Sequence, residues 1–442
     1  EVDLFNEYFF LDTSHLSFEY QWISTNTETV QMRNNLLVPV IHPQSSITVQ
    51  VPLPEAKTNI KWLRVSAFVE QATKQYQNSE QHFVAVDQCT VFDNVPVTVK
   101  PPTTNNTLYC QETGMELRIE GENFKIVFDK QMACIADWSI FDAPLLDKNV
   151  KRPIKHAFWR ALTDNDRCGG AGPENWLCQG FPWLPRSVGN LATRVLLSSV
   201  EKSYEYQWKQ AGLHQLKETS QLSILQRSAE LVSIQVATSV QNNKKVSCFE
   251  VTTIYDVFNS GVVRMKVNCI PNENLPPLPR IGIQLNLQDI YDQITWIGRG
   301  SHETYPDRKA SGLFGLWQSS VRDIHVPYIY PSENGGRSDV FWLAAQNEDG
   351  KGLIIQAGDI TEDSCPSEPM QMSASPFRVE QLDSATHTSD LQLENGTVEI
   401  HVDASHCGVG GTDSWTPNVG DEFKVFPKPT SYTVSFVPTP NK

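Results

Sequence analysis

Along much of this chain, apolar side chains return at every second position. Leu63, Val65, Ala67 and Val69 alternate with Trp62, Arg64, Ser66 and Phe68, and Phe124, Ile126 and Phe128 form another such set. Val398, Ile400 and Val402 alternate in the same way with Glu399 and His401. A period of two belongs to a pleated strand, whose successive side chains leave opposite faces. Such segments recur about every ten residues, and no stretch keeps an amphipathic helical period for three turns. The expectation is an all-β chain built of antiparallel sandwiches, with helix a minor component. "NEDGKG", Asn347 to Gly352, lies between two apolar runs and predicts a hairpin turn.

A chain of 442 residues exceeds the size at which one core usually keeps growing, so at least two domains are expected. "PPTTNNT", Pro101 to Thr107, cannot continue a strand ladder, because two prolines and short polar residues remove donors and packing surface. It sets the predicted boundary: residues 1–105 as an immunoglobulin-like sandwich of about seven strands, and 106–442 as one large antiparallel β-sandwich. No internal repeat divides the second part into propeller blades.

Composition narrows the partners. Lys and Arg number 36 against 51 Asp and Glu, a formal charge of −15, with no block of like charge. That balance disfavours nucleic acid and acidic membrane surfaces and suits a neutral ligand. No apolar run reaches the ~18–20 residues needed to cross a bilayer. The chain begins at Glu1 rather than Met, which suggests a processed or partial product. Nine cysteines include no C-x-x-C pair, against a zinc ribbon or a thioredoxin-like site. Sequons at Asn105 and Asn395 favour a secreted or lumenal location over a cytoplasmic one.

No H-E-x-x-H, G-x-S-x-G or Walker pattern is present. "CGGAG", Cys168 to Gly172, lacks the Lys-Ser/Thr of a phosphate loop and reads as a mobile loop, and Cys168 has no His partner nearby in sequence. Three clusters mix aromatic residues with Arg, Asp and Gly: Phe158 to Asp166, Trp296 to Arg337, and "HVDASH" followed by "GVGGTDSWTP", ending at Pro417. Two physical readings fit that composition. Buried Arg–Asp pairs and glycine corners can pin long loops over a sandwich. Aromatic faces with Asp, Asn and Arg can instead hold sugar rings.

The clusters resemble those of glycoside hydrolase family 2 β-galactosidases of the large bacterial type. The family's G-x-x-E-x-Y-x-D-R pattern appears as Gly300, Glu303, Tyr305, Asp307 and Arg308, followed by "YPSENG" with Glu333 and Asn334. F-x-R-A-P-x-D-N-D is matched by "FWRALTDND", with Arg160, Asp164 and Asp166. The terminal G-[IV]-G-G-x-D-S-W-x-P is matched by Gly408 to Pro417, with Asp413 and Trp415.

The resemblance covers essentially the whole chain and implies a second immunoglobulin-like domain, with "NEYFFLDTSHLSFEYQW" its opening hairpin, then a galactose mutarotase-like super-sandwich. It implies that the catalytic glutamates, with magnesium and sodium, belong to a (β/α)₈ barrel outside this chain, so that no catalytic residue and no metal site is expected here. The implied partners are a barrel-bearing chain or domain and a β-galactoside, and the region contributes to subunit contacts, so an oligomer is expected. Trp415 is implied to stack on the non-galactose part of the substrate. Arg167 to Asn175, with Cys168, Gly169, Gly170 and Gly172, occupies the place of a closing loop. Leu162 stands where the family usually has proline, and Thr412 where an acidic residue is common. The alternative readings are a stand-alone galactoside-binding protein and a scaffold for assembly only.

Overall fold

The computed structural model describes residues 1–25, 33–54, 60–69, 82–92, 97, 99–100, 102, 104, 106–167, 203–360, 368–393, 396–410 and 419–439. The chain divides into two compact units, Glu1–Val97 with Leu313–Leu316, and Thr98–Gly312 with Trp317–Lys442.

In the first unit the strand Ile60–Val69 is the alternating run read from the sequence, and it lies between Leu16–Ser24 and His82–Thr90 in a four-stranded sheet edged by Arg33–Asn35. Its two faces are both largely covered: Leu63 and Ala67 are buried, and so are Trp62, Ser66 and Phe68. The Trp62 ring stacks on Phe314 at 4.9 Å, and the Arg64 guanidinium donates to the Phe314 carbonyl at 3.0 Å. The stretch Asn6 to Trp22 does not form a hairpin. It holds a single strand, Leu16–Ser24, while the preceding strand Val2–Phe5 pairs with Ser46–Val49 in a separate sheet. Buried Asn6 explains the break, because its side-chain amide donates to the carbonyls of Leu11 and Ile41 and holds the intervening backbone in a loop.

The second unit is built of antiparallel sheets over one apolar core. A nine-stranded sheet runs from Lys217–Arg227 at one edge through Ser247–Phe258 and Thr430–Thr439 to Gln293–Gly300 and, at the other edge, the Trp317–Ser320 part of the last strand. A five-stranded sheet has the order Ile154–Ala157, Arg280–Gln288, Thr397–His406, Met370–Ser375, Arg337–Val340. Val236, Val434 and Phe436 from the first and Ile283, Leu285, Ile400 and Val402 from the second belong to the same buried cluster. The architecture is thus all-β, a large antiparallel sandwich. A third sheet, the meander Tyr109–Pro144, adds Leu117, Ile126 and Trp138 to this core, with Trp138 edge-on to Phe436. The predicted turn at Asn347 to Gly352 joins Trp342–Gln346 to Gly352–Ala357.

Among the described residues the α-helices are short: Tyr204–Ala211, Val321–Ile324 and Val379–Ser384. Tyr204–Ala211 starts where the Ser203 hydroxyl accepts the Tyr206 N–H, and it ends at Gly212 in a left-handed conformation. No helix among the described residues is long and apolar enough to cross a membrane, which says nothing of β-barrels.

The polar face of the five-stranded sheet is not solvated. Alternation puts Arg280, Gln284 and Asn286 of one strand beside Glu399, His401 and Asp403 of the next, and all six are buried. Glu399 repays its desolvation with four partners: the side-chain amides of Gln284 and Asn286, the Val379 N–H at the start of a helix, and the His401 ring. Those bonds hold its carboxyl below the usual range although burial acts the other way.

Candidate functional site

The segment after the edge strand Ile154–Ala157 leaves the sheet largely buried, with Phe158, Arg160, Ala161 and Leu162 all covered. Phe158 anchors it by stacking on Phe249 at 3.8 Å. Arg160 is fully buried, and a buried guanidinium needs a carboxylate at close range. Asp166 supplies it through two bonds, Nε to Oδ2 at 3.1 Å and Nη2 to Oδ1 at 2.8 Å. Burial, the largest single influence, opposes the Arg160 charge, but Asp166 together with Cys407 and Glu333 outweighs it, and the guanidinium pKa is raised. The remaining Arg160 donors reach the backbone carbonyls of Cys407 at 2.6 Å and Gly408 at 3.0 Å.

This ties the first cluster to the root of the terminal glycine-rich stretch, and two further contacts complete the tie. The Asn165 side-chain amide donates to the Val409 carbonyl at 3.1 Å. Asp307, from the second cluster, accepts the N–H groups of Val409 at 3.0 Å and Gly410 at 2.8 Å. Three segments far apart in sequence therefore meet where the strand Thr397–His406 ends.

Beneath them lies a second buried charge group. Arg280 pairs with Glu333 and, at 3.5 Å, with Asp403, and it donates to His406 Nε2 at 3.2 Å. The other ring nitrogen of His406, Nδ1, donates to the Cys407 carbonyl at 2.7 Å. A ring that accepts at Nε2 and donates at Nδ1 is neutral. Burial, with Arg280 and Arg160 adding to it, holds the His406 pKa well below the ordinary range. Burial pushes the Asp403 carboxyl up to about 6 despite the opposing pull of Arg280. Tyr305, also fully buried, donates its hydroxyl to Glu333 at 3.4 Å and accepts the Gly336 N–H at 3.2 Å.

Glu303 and Arg308 form an ion pair, and Glu303 also accepts the Tyr328 hydroxyl and the Gly335 N–H. Asn334 braces the same loop, accepting the Val326 N–H and donating to the Ser332 carbonyl. Arg167 is buried with its guanidinium 4.1 Å over the Tyr330 ring. Asp164 stands apart: it is exposed and makes no hydrogen bond or ion pair to the described residues. Cys168, Gly169, Gly170, Gly172, Asp413 and Trp415 lie outside the described residues.

Sequence reading missed Arg280, and it took in Asp403 and His406 only as part of the stretch "HVDASH"; the three hold the centre of the group. The signal available was polar residues at alternate positions of a strand, which is also what a solvated face shows. Leu162 carries a further consequence. Its backbone N–H donates to Asp383 Oδ1 at 3.3 Å, a bond that proline, lacking the N–H, could not make. Among the described residues no group of three or more His, Cys, Asp or Glu could hold a metal ion.

Residues 120–437 match the family described as "Beta galactosidase small chain", and residues 2–92 match "Beta-galactosidase, domain 4". The β-galactosidase of Pseudoalteromonas haloplanktis is 26% identical over 441 residues, covering 98% of this chain and 37% of that protein. That of Lactococcus lactis is 27% identical over 439 residues, covering 98% and 38%, and that of Psychromonas ingrahamii is 31% identical over 307 residues, covering 69% and 25%. The chain thus spans less than two-fifths of the length of these relatives. Among solved structures, galactose 1-epimerase from Lactobacillus acidophilus aligns at a TM-score of 0.38 and 8% identity, over 77% of this chain and 100% of that one. A GalM/aldose epimerase homologue from C. elegans aligns at 0.35 and 9%, over 76% and 100%. At such scores neither likeness carries an argument.

Proposed function

Because the chain belongs to the β-galactosidase small-chain family, we propose that it is the non-catalytic C-terminal part of a retaining β-galactosidase. In this reading it completes the mouth of an active site whose two catalytic carboxylates are supplied by a barrel-bearing chain or domain. The observation that carries the reading is the convergence of three family motifs on one hydrogen-bonded group. Arg160, Asn165 and Asp307 together hold the backbone at Cys407 to Gly410. That backbone is the root of the segment that bears Trp415.

Buried ion pairs are costly to desolvate and add little net stability; in this proposal they serve positional precision. Precision at this root has a use if Trp415 must meet a sugar held mainly by other residues, since small misplacements of a positioning group weaken rate and binding. Hydrolysis with retention places two carboxyl groups about 5–5.5 Å apart across the glycosidic bond. In this proposal the chain contributes no member of that pair; it orients the aglycone and helps exclude water.

The test is hydrolysis of a chromogenic β-galactoside by the purified chain, alone and after assembly with a barrel-bearing partner. Activity is expected only in the assembly, and Trp415→Ala there should raise KM for an aryl or disaccharide galactoside about tenfold, the loss of one stacking contact. Turnover by the chain alone would overturn the proposal.

A further inference from the structure

A cavity of about 440 Å³ opens between the strand Ile154–Ala157, the turn at Leu213 and His214, and the helix Val379–Ser384. Among the described residues of the terminal stretch, 408–410, none lines it. Trp159 forms one wall, its ring edge-on to Trp208 at 6.0 Å and 6.0 Å from the His214 ring. The indole N–H of Trp159 donates to Asp383 Oδ2 at 3.3 Å, and the Leu162 N–H donates to Oδ1 of the same carboxylate at 3.3 Å. Asp383 is therefore fixed in place by two donors, while each of its oxygens keeps room for another.

The charges around the rim cancel in pairs. Arg152 meets Glu218 at 2.7 Å, and Lys155 meets Glu380 at 3.1 Å. With Asp383 added, the lining holds no surplus of positive charge for an anion. Burial, with Lys209 nearby, lowers the His214 pKa, so that ring offers a neutral donor and acceptor. Buried Gln284 closes the floor. Aromatic walls, an oriented carboxylate and paired charges are the means by which proteins hold neutral hydroxylated rings: C–H faces lie on the aromatic surface and hydroxyls bond the polar groups.

We propose that this cavity is a separate carbohydrate subsite, taking one neutral, monosaccharide-sized ring, with Trp159 and His214 as its aromatic walls and Asp383 as its hydroxyl acceptor. It depends neither on Trp415 nor on a barrel-bearing partner. Leu162 contributes directly, since its N–H orients Asp383.

The experiment is ligand-observed NMR and calorimetry on the full chain with D-galactose, D-glucose and, as an anionic control, inorganic phosphate. A neutral sugar is expected to bind with a dissociation constant on the order of 1 mM, the range for a ligand of about a dozen heavy atoms. His214→Ala, at an exposed position, and Asp383→Asn should each weaken it about fivefold or more, with thermal unfolding confirming that both variants fold. Trp415→Ala should leave this affinity unchanged, which separates the subsite from the proposed active-site mouth. Absence of saturable sugar binding, preferential binding of phosphate, loss of binding in Trp415→Ala, or unchanged affinity in both His214→Ala and Asp383→Asn would each overturn the proposal.

Discussion

Asp307 and Gly410, more than a hundred positions apart, are joined by a 2.8 Å hydrogen bond from the Gly410 N–H to Asp307 Oδ2, while Oδ1 takes the Val409 N–H at 3.0 Å. One carboxylate thereby satisfies two successive backbone donors at the root of the terminal stretch. Replacing it with an amide turns one acceptor into a donor. Asp307→Asn should cost about 1–3 kcal/mol and speed amide exchange in the peptide that holds Val409 and Gly410. Unchanged protection there would show that the carboxylate does not hold the root.

Gly410 itself has φ +82°, and an added Cβ would lie 2.6 Å from the Asn165 side-chain nitrogen. Gly410→Ala therefore combines a left-handed backbone with a steric overlap. A loss of about 1–3 kcal/mol is expected in urea denaturation, with the Asn165 to Val409 bond displaced in NMR spectra.

Asp166→Ala leaves Arg160 fully buried without its carboxylate. The expected destabilisation is about 3–5 kcal/mol, measured as a lower urea midpoint at unchanged slope. A loss below 1 kcal/mol would mean that water or another anion replaces Asp166 at no cost.

His406 and Asp403 give the unit opposed acid responses. His406 has a folded pKa well below its ordinary 6.5, so its contribution is present above that value and is lost as pH falls beneath it. Asp403 has a folded pKa raised from 3.8 to about 6, so its contribution is present below 3.8 and is lost as pH rises through about 6. Between about pH 4 and 6 the two partly cancel. Asp403→Asn removes the compensating term, and its melting temperature should fall more steeply than wild type between pH 6.5 and 4.5. Parallel curves would show that Asp403 does not titrate in that window.

Particular elements show what the sequence made legible. Alternation located Ile60–Val69, Phe124–Asp129 and Thr397–His406 as strands, and the polar turn at Asn347 to Gly352 located a hairpin. Alternation could not say which strand pairs with which. Asn6 to Trp22 looked like two strands of one hairpin, yet Val2–Phe5 crosses to Ser46–Val49. Nor could it tell a solvated face from a sealed one: Glu399, His401 and Asp403 carry the polar pattern of an outer face and are buried.

The sequence by itself determined the all-β class, the strand positions and, through motif order, the family. Backbone geometry links side-chain period to local structure, and a motif keeps its order whatever the fold does. Only the tertiary structure decided that Arg160, Asp166, Asp307, Glu333 and Asp403 are drawn from the three clusters to one place, with Arg280 and His406 at its centre, while Asp164 stays exposed. Composition left those clusters open between pinned loops and sugar contacts. The hydrogen bonds and ion pairs of the group depend on distances of 2.6 to 3.5 Å between segments up to 248 positions apart, and desolvation depends on what the fold lays over each side chain. Neither quantity is a local property of the chain.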